Sequence, residues 1–278
     1  MNKINRTGKV ILASAGPGDP DLITIKAVQY LQQADIVLTD RLVSEEILVR
    51  YANPSAEIIH VGKQCRRGIS TPQKTINELI VEYALQGKLV VRLKGGDASI
   101  FSNILDELQA VKENNIPFEI IPGVTAALGS AAYAGIPLTA RDNSTAVRFL
   151  TLYKSTVVKD EYWKELAATD DTLVFYMSSE TLDDLVQKLT ENNISPDKLL
   201  AVVEQATTPF QQVYISNLYN YASTLKDKIF LSPSLVIIGK VVALHKEFAW
   251  FENNKNKEYY FKPLTALKEM KTEKEARA

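Results

Sequence analysis

Leu89-Val90-Val91-Arg92-Leu93-Lys94-Gly95-Gly96-Asp97, residues 89–97, is the stretch that decides the fold. Its short aliphatic run reads as a buried strand over Leu89–Leu93. The polar, glycine-paired break Lys94-Gly95-Gly96-Asp97 ends that strand, and a helix follows with Phe101, Ile104, Leu105 and Leu108 on one side. The same alternation repeats outward. Towards the N-terminus, Val10-Ile11-Leu12-Ala13 is closed by Gly16-Pro17-Gly18, and Ile23, Ala27, Val28 and Leu31 then recur at helical spacing. Ile36-Val37-Leu38 gives another strand. Thr71 before Pro72 predicts a helix start, with the cap and the first-turn proline in their preferred places, and Ile76, Leu79, Ile80, Tyr83 and Ala84 form that helix's face. Towards the C-terminus, Glu119-Ile120-Ile121 precedes a helix from about Thr125. Strands alternating with helices predict a parallel sheet covered by helices.

The second half reads differently. Strand-like runs at Phe149–Leu152, Leu173–Tyr176, Leu200–Val203 and Leu235–Ile238 follow one another more closely, with a helix carrying Leu182, Leu185, Val186 and Leu189 among them. That pattern predicts a mixed sheet. Gly135-Ile136-Pro137-Leu138 followed by Arg141-Asp142-Asn143-Ser144 is the best linker candidate. The expected organisation is therefore an α/β domain over 1–138, a second α/β domain over 139–262, and a charged extension over 263–278.

Composition narrows the function. The 278 residues carry 32 basic and 33 acidic side chains, a net charge of -1, which argues against a generic nucleic-acid binder. One cysteine, Cys65, excludes an internal disulfide framework or a multi-thiolate zinc site, and two distant histidines, His60 and His245, argue against a histidine-rich metal centre. No apolar run approaches the ~20 residues of a membrane span, and the N-terminus lacks a signal-like core, so a soluble cytoplasmic protein is expected.

Chemistry is expected at the carboxyl ends of the first-half strands, where open α/β sheets bind ligands. Three breaks fall there: Ala15–Pro20, Lys94–Asp97 and Ile121–Ala126. Each alone also reads as a tight strand-to-helix turn. None is a phosphate loop or a dinucleotide fingerprint. Arg41, Arg92, Lys94, Arg141 and Arg148, with the run Lys63 to Arg67, give a basic cluster on a neutral chain. Such a cluster suits a small anionic ligand, and arginine pairs bidentately with carboxylates.

In order and number, the segments that follow resemble the tetrapyrrole methylase family. They are Ala15–Asp19 with Leu22-Ile23-Thr24, Asp40-Arg41-Leu42-Val43-Ser44, Val61-Gly62-Lys63, Pro72-Gln73, Val91–Asp97, Ile121–Ala126, Gly135–Thr139, Leu173–Met177 and Gly239–Val242. Within the family, Asp40–Ser44 together with Val91–Asp97 resembles the branch that C-methylates uroporphyrinogen III. The resemblance implies two α/β domains of non-Rossmann type with the active site in the cleft between them. It also implies a homodimer, S-adenosylmethionine as methyl donor with S-adenosylhomocysteine as product, and no metal. The implied reaction methylates two adjacent pyrrole rings, giving precorrin-2 by way of precorrin-1, for sirohaem or cobalamin synthesis. The alternatives are a same-fold methylase of a later precorrin and a non-catalytic paralogue that binds tetrapyrrole or cofactor.

Carried over by position, the implied cofactor contacts are Pro17, Gly95, Gly96, Asp97, Ile100, Thr125, Ala126, Met177 and Ala206. Asp40 matches the proposed proton acceptor and Lys63 the proposed donor. A solvated lysine, with a pKa near ~10.4, donates poorly at neutral pH, so Lys63 reads better as a carboxylate clamp. Arg41, Arg66, Arg67, Lys94 and Arg141 are the other expected substrate clamps. The chain departs from the family at Ala98, Ser102-Asn103, Ala140, Leu152-Tyr153 and Ala206. At Ala206 the family's glycine is missing, so the backbone could serve the cofactor only if that turn needs no positive φ.

Overall fold

The computed structural model describes residues 7–64, 69–152, 159–178, 180–254 and 258–261, with 63–64 and 69–70 by backbone alone. These fall into two compact units, one of residues up to Thr125 joined by Tyr260 and Phe261, the other of Ala126–Tyr259.

In the first unit β1 (Lys9–Ser14), α1 (Ile25–Leu31), β2 (Ile36–Thr39), α2 (Glu45–Tyr51) and β3 (Glu57–His60) lead to a short antiparallel pair, β4 (Lys63–Gln64) with β5 (Ile69–Ser70). Then come α3 (Gln73–Leu85), β6 (Leu89–Lys94), α4 (Ile104–Glu113) and β7 (Phe118–Ile121). The five long strands pair in the order β3-β2-β6-β1-β7, and every pairing is parallel. The central strands β1, β2 and β6 are buried on both faces, which is why they read as largely apolar runs. Alternate residues separate cleanly. Ile11, Ala13, Val37, Val91 and Leu93 pack with Ala27, Leu31, Ile47 and Leu48 of α1 and α2, whereas Val10, Leu12, Ile36, Leu38 and Val90 pack with Ile76, Ile80, Ala84 and Val111 of α3 and α4.

Two local expectations shift. Pro72 occupies the cap position of α3 itself, one residue later than the Thr71 cap expected from sequence. On α4 the inward face is Ile104, Glu107, Leu108 and Val111, while Phe101 and Leu105 are exposed.

The second unit begins with α5 (Ala126–Tyr133), followed by β8 (Val147–Thr151), α6 (Asp160–Ala168), β9 (Thr172–Tyr176), α7 (Leu182–Glu191), β10 (Leu199–Glu204), β11 (Gln212–Asn217), α8 (Tyr221–Thr224), β12 (Ser234–Gly239) and α9 (His245–Phe248). The order is β11-β10-β12-β9-β8, with β8 and β9 parallel and the other pairs antiparallel, the mixed sheet expected. Trp163 and Leu166 of α6 and the α7 stripe Leu182, Leu185, Val186 and Leu189 cover one face. Ala127 and Ala131 of α5 cover the other, against Val174, Ala201, Val203 and Ile237. Thus α5 belongs to the second unit's core although it follows directly on the last strand of the first.

Candidate active site

In the first unit the three sequence-marked breaks meet. β6 lies between β2 and β1, and β1 lies between β6 and β7, so their carboxyl ends are neighbours. The Gly16 N–H donates to the Gly96 carbonyl at 3.1 Å and the Gly96 N–H to the Gly16 carbonyl at 2.8 Å. Both glycines have positive φ, +80° and +68°, a conformation that a side chain would strain. One Asp97 carboxylate oxygen accepts from the Gly123 N–H at 2.9 Å and the other from the Ser99 N–H at 2.8 Å. Ser14 at the end of β1 accepts from the Ala98 N–H at 2.8 Å. The loops after β1, β6 and β7 are therefore one hydrogen-bonded rim. Pro17 and Thr125 are buried within it, while Gly95, Gly96, Asp97 and Ile100 stay partly open.

The loop after β2 is seated on the same rim. The Asp40 N–H donates to the Leu93 carbonyl at 3.1 Å. Beyond it, Leu42 approaches Gly95 so closely that a Cβ on Gly95 would lie 2.7 Å from the Leu42 carbonyl oxygen. Only glycine fits there. The loop that carries the expected proton acceptor is thus packed, through Leu42, on Gly95 of the expected cofactor loop.

Beneath this rim lies a feature absent from the sequence reading. Residues 90, 92 and 94 of β6 share the face covered by α3 and α4, so Arg92 and Lys94 point into the protein and are each 2% exposed. They meet Glu107 of α4, which is fully buried. Arg92 Nε donates to Glu107 at 2.9 Å, and Lys94 Nζ lies 3.0 and 2.9 Å from the two Glu107 oxygens. Arg92 Nη2 donates to Asp40 Oδ1 at 2.5 Å, while Nη1 serves the Leu38 and Leu93 carbonyls, each at 3.2 Å. Two cations face two carboxylates, so the cluster is neutral. Burial opposes the charge on Arg92, but the carboxylates of Asp40 and Glu107 hold the guanidinium above its ordinary pKa. Lys94 goes the other way: burial, then repulsion from Arg92, lower it despite Glu107. Lys94 was expected to clamp substrate, and its ammonium is instead committed to Glu107 inside the unit. Arg92 is likewise interior.

Of the other expected clamps, Arg41 is partly exposed beside Asp40, and Arg141, in the second unit, is exposed. Cys65, Arg66, Arg67, Tyr153 and the extension 263–278 lie outside the described residues, and the side chain of Lys63 is likewise not described. Arg148 is engaged with Asp171 and Glu165 at the surface of the second unit.

The second unit gathers its own candidates at one sheet edge. β9 and β10 both run antiparallel to β12, so their carboxyl ends share that edge, with Ser234 and Leu235 between them. Met177, just after β9, is 65% exposed with φ 54°. The Tyr176 hydroxyl accepts from the Ala127 N–H at 3.1 Å and so ties the start of α5, with Ala126, to the same edge. Ala206 follows β10. The positive φ angles there belong to Gln205 and Thr207, 45° and 66°, and not to Ala206, so the turn accepts alanine. Glycine and exposed backbone at the rim, with one carboxylate, suit the hydroxyl, amino and adenine groups of a nucleoside, so the residues present fit S-adenosylmethionine. Among the described residues, no group of three or more His, Cys, Asp or Glu is arranged to hold a metal, and no helix is long and apolar enough to cross a membrane.

Residues 9–222 match the family of tetrapyrrole (corrin/porphyrin) methylases. The siroheme synthase of Vesicomyosocius okutanii is 42% identical over 247 residues, which cover 89% of this chain and 53% of that protein. The chain spans about half the length of the curated relatives it matches. Among solved structures, uroporphyrin-III C-methyltransferase from Thermus thermophilus superposes with a TM-score of 0.73 at 30% identity, covering 88% of this chain and 98% of that one. The same Thermus enzyme complexed with S-adenosylhomocysteine gives 0.70 at 32% identity, covering 84% and 93%. With its glycine rim, its Asp40 loop and this match over most of its length, the chain belongs to the tetrapyrrole methylase family.

Proposed function

We propose that this chain moves methyl groups from S-adenosylmethionine to ring carbons of uroporphyrinogen III, on two adjacent pyrrole rings, giving precorrin-2 by way of precorrin-1. The observation that supports this reading best is the seat of the Asp40 loop on Gly95 through Leu42, with the Asp40 carboxylate held from within by Arg92.

The donor, when bound, supplies an electrophilic methyl group. The protein's task is then alignment and proton removal. Glycine at positions 95 and 96 lets main chain approach the nucleoside, Asp97 keeps that loop in register with Gly123, and the backbone around Ala206 offers itself to the adenine. Holding an electron-rich ring carbon in line with the methyl group is worth roughly 7–11 kcal/mol of barrier. Carbon methylation leaves a cationic ring that must lose a proton. Asp40, part-exposed and pinned at one oxygen, is the base for that step. Arg41, Arg141, Lys63, Arg66 and Arg67 are assigned to the acid groups fringing the substrate; Lys94 is not. Lys63→Gln is expected to raise KM for the tetrapyrrole with kcat mostly intact. The family resemblance also supports a cytoplasmic homodimer that needs no metal, feeding sirohaem or cobalamin synthesis.

Incubating the purified chain with uroporphyrinogen III and isotopically labelled methyl donor tests the reading. Two labelled methyl groups per macrocycle are expected. Methylation of a later precorrin alone, or donor binding without turnover, would replace it with one of the two alternatives.

A further inference from the structure

The interior of the first unit carries two cations and a carboxylate that the reaction as described does not use. Arg92, Glu107 and Lys94 are each at most 2% exposed, and among the described side chains the one at the rim that the cluster binds is Asp40, through Arg92. The guanidinium spends Nε on Glu107, Nη1 on two main-chain carbonyls and Nη2 on Asp40 Oδ1. A planar fork fixed at three corners has no freedom left to follow a moving carboxylate. Glu107 is itself fixed, because Lys94 binds both of its oxygens. The chain of contacts thus runs from helix α4, through strand β6, to the loop after β2.

We propose that Arg92, backed by Glu107 and Lys94, is a positioning residue for Asp40: it immobilises Oδ1 so that the proton leaving the bridging methylene carbon beside the methylated ring is taken on Oδ2. The C–H electron pair of that methylene forms a double bond to the adjoining ring carbon and quenches the cation, and Asp40 becomes the neutral acid until it passes the proton to water. The inference rests on the reading of Asp40 given above.

The separation between positioning and bulk structure follows from the charge balance. Arg92→Met leaves Lys94 and Glu107 as a neutral buried pair and leaves Asp40 partly solvated, so no charge is stranded. Methyl transfer to uroporphyrinogen III would be measured for wild type, Arg92→Met, Asp40→Asn and the double variant, together with the dissociation constant of S-adenosylhomocysteine. Arg92→Met is expected to lower kcat by on the order of 10- to 100-fold, with KM for the tetrapyrrole and the dissociation constant within about threefold of wild type. In the Asp40→Asn background the same change is expected to cost nothing further, because Arg92 acts only through Asp40. Arg92→Lys keeps the charge and loses the fork. It is expected to stay at least about tenfold slow, and it carries the test if the methionine variant does not fold.

Recovery by lysine to near wild-type kcat, an undiminished effect in the Asp40→Asn background, or losses confined to KM would each overturn the inference. A wild-type chain that does not methylate uroporphyrinogen III would instead sink the functional reading beneath it, and Asp40→Asn turning over at the wild-type rate would remove Asp40 from both.

Discussion

Among the described residues each unit buries one lysine, and the two are used differently. Lys94 of the first unit is 2% exposed and faces a carboxylate; Lys198 of the second is 4% exposed and faces main chain, donating to the Ala167 carbonyl at 3.2 Å and the Thr169 carbonyl at 2.5 Å at the end of α6. Burial is the leading cause of a lowered pKa in both. Their neighbours differ in consequence. Lys198 closes a helix whose last carbonyls need donors, with Asp170 3.8 Å away at the surface. Lys94 belongs to a balanced cluster that ends on a residue of the candidate site. A buried cation can therefore be a helix terminator or part of the support of a functional side chain, and its partner says which.

That contrast breaks most visibly at Lys94. Lys94→Met takes the lysine donor from both oxygens of the fully buried Glu107, and a loss of about 3–5 kcal/mol is expected in urea unfolding. Adding Glu107→Gln restores neutrality and is expected to return at least half of that loss, a coupling that independent sites would not show. Lys198→Met is the matching cut in the second unit. It should cost about 1–3 kcal/mol through unsatisfied carbonyls, with methyl transfer per folded molecule unchanged.

Surface charges sharpen the comparison from the other side. Arg148 binds Asp171 and Glu165 in contact with solvent, and Arg148→Gln should cost under about 1 kcal/mol, shrinking further in high salt. Glu119 is paired by Lys9 and by Lys26, the latter at 3.0 Å, and those bonds, Lys9 first, hold its carboxyl at about 2. A depressed carboxyl contributes stability above its unfolded pKa of about 4.3, which is lost as pH falls towards 2. Glu119→Gln should flatten the thermal midpoint against pH across that window, lying slightly below wild type at neutral pH and meeting it as the pH approaches 2.

Most of the fold was legible because its central strands are buried on both faces and so appear as largely apolar runs. The edge strand β11 was missed. Its sequence, Gln212-Val213-Tyr214-Ile215-Ser216-Asn217, alternates with polar residues and has only one partner strand. The affiliation of α5 was equally hidden, since its small residues Ala127, Gly129 and Ala131 suit either core. At the site, glycines at strand ends pointed to the rim, but the bonds that close it, Gly16 to Gly96 and Asp97 to Gly123, join residues far apart in sequence. The buried cluster did leave a signal. Arg92 and Lys94 share a strand parity with Val90, and Glu107 stands in the helical stripe of Ile104, Leu108 and Val111. Charges on inward positions of two adjacent elements must find each other, and here they do.

A crystal structure grown with S-adenosylhomocysteine reaches the heart of the account. The nucleoside is expected against the first-unit rim, touching Gly95, Gly96 and Asp97, with the Asp40–Arg92 pair intact beside it. A complex that leaves this rim bare and carries its ligand elsewhere on the chain would contradict it.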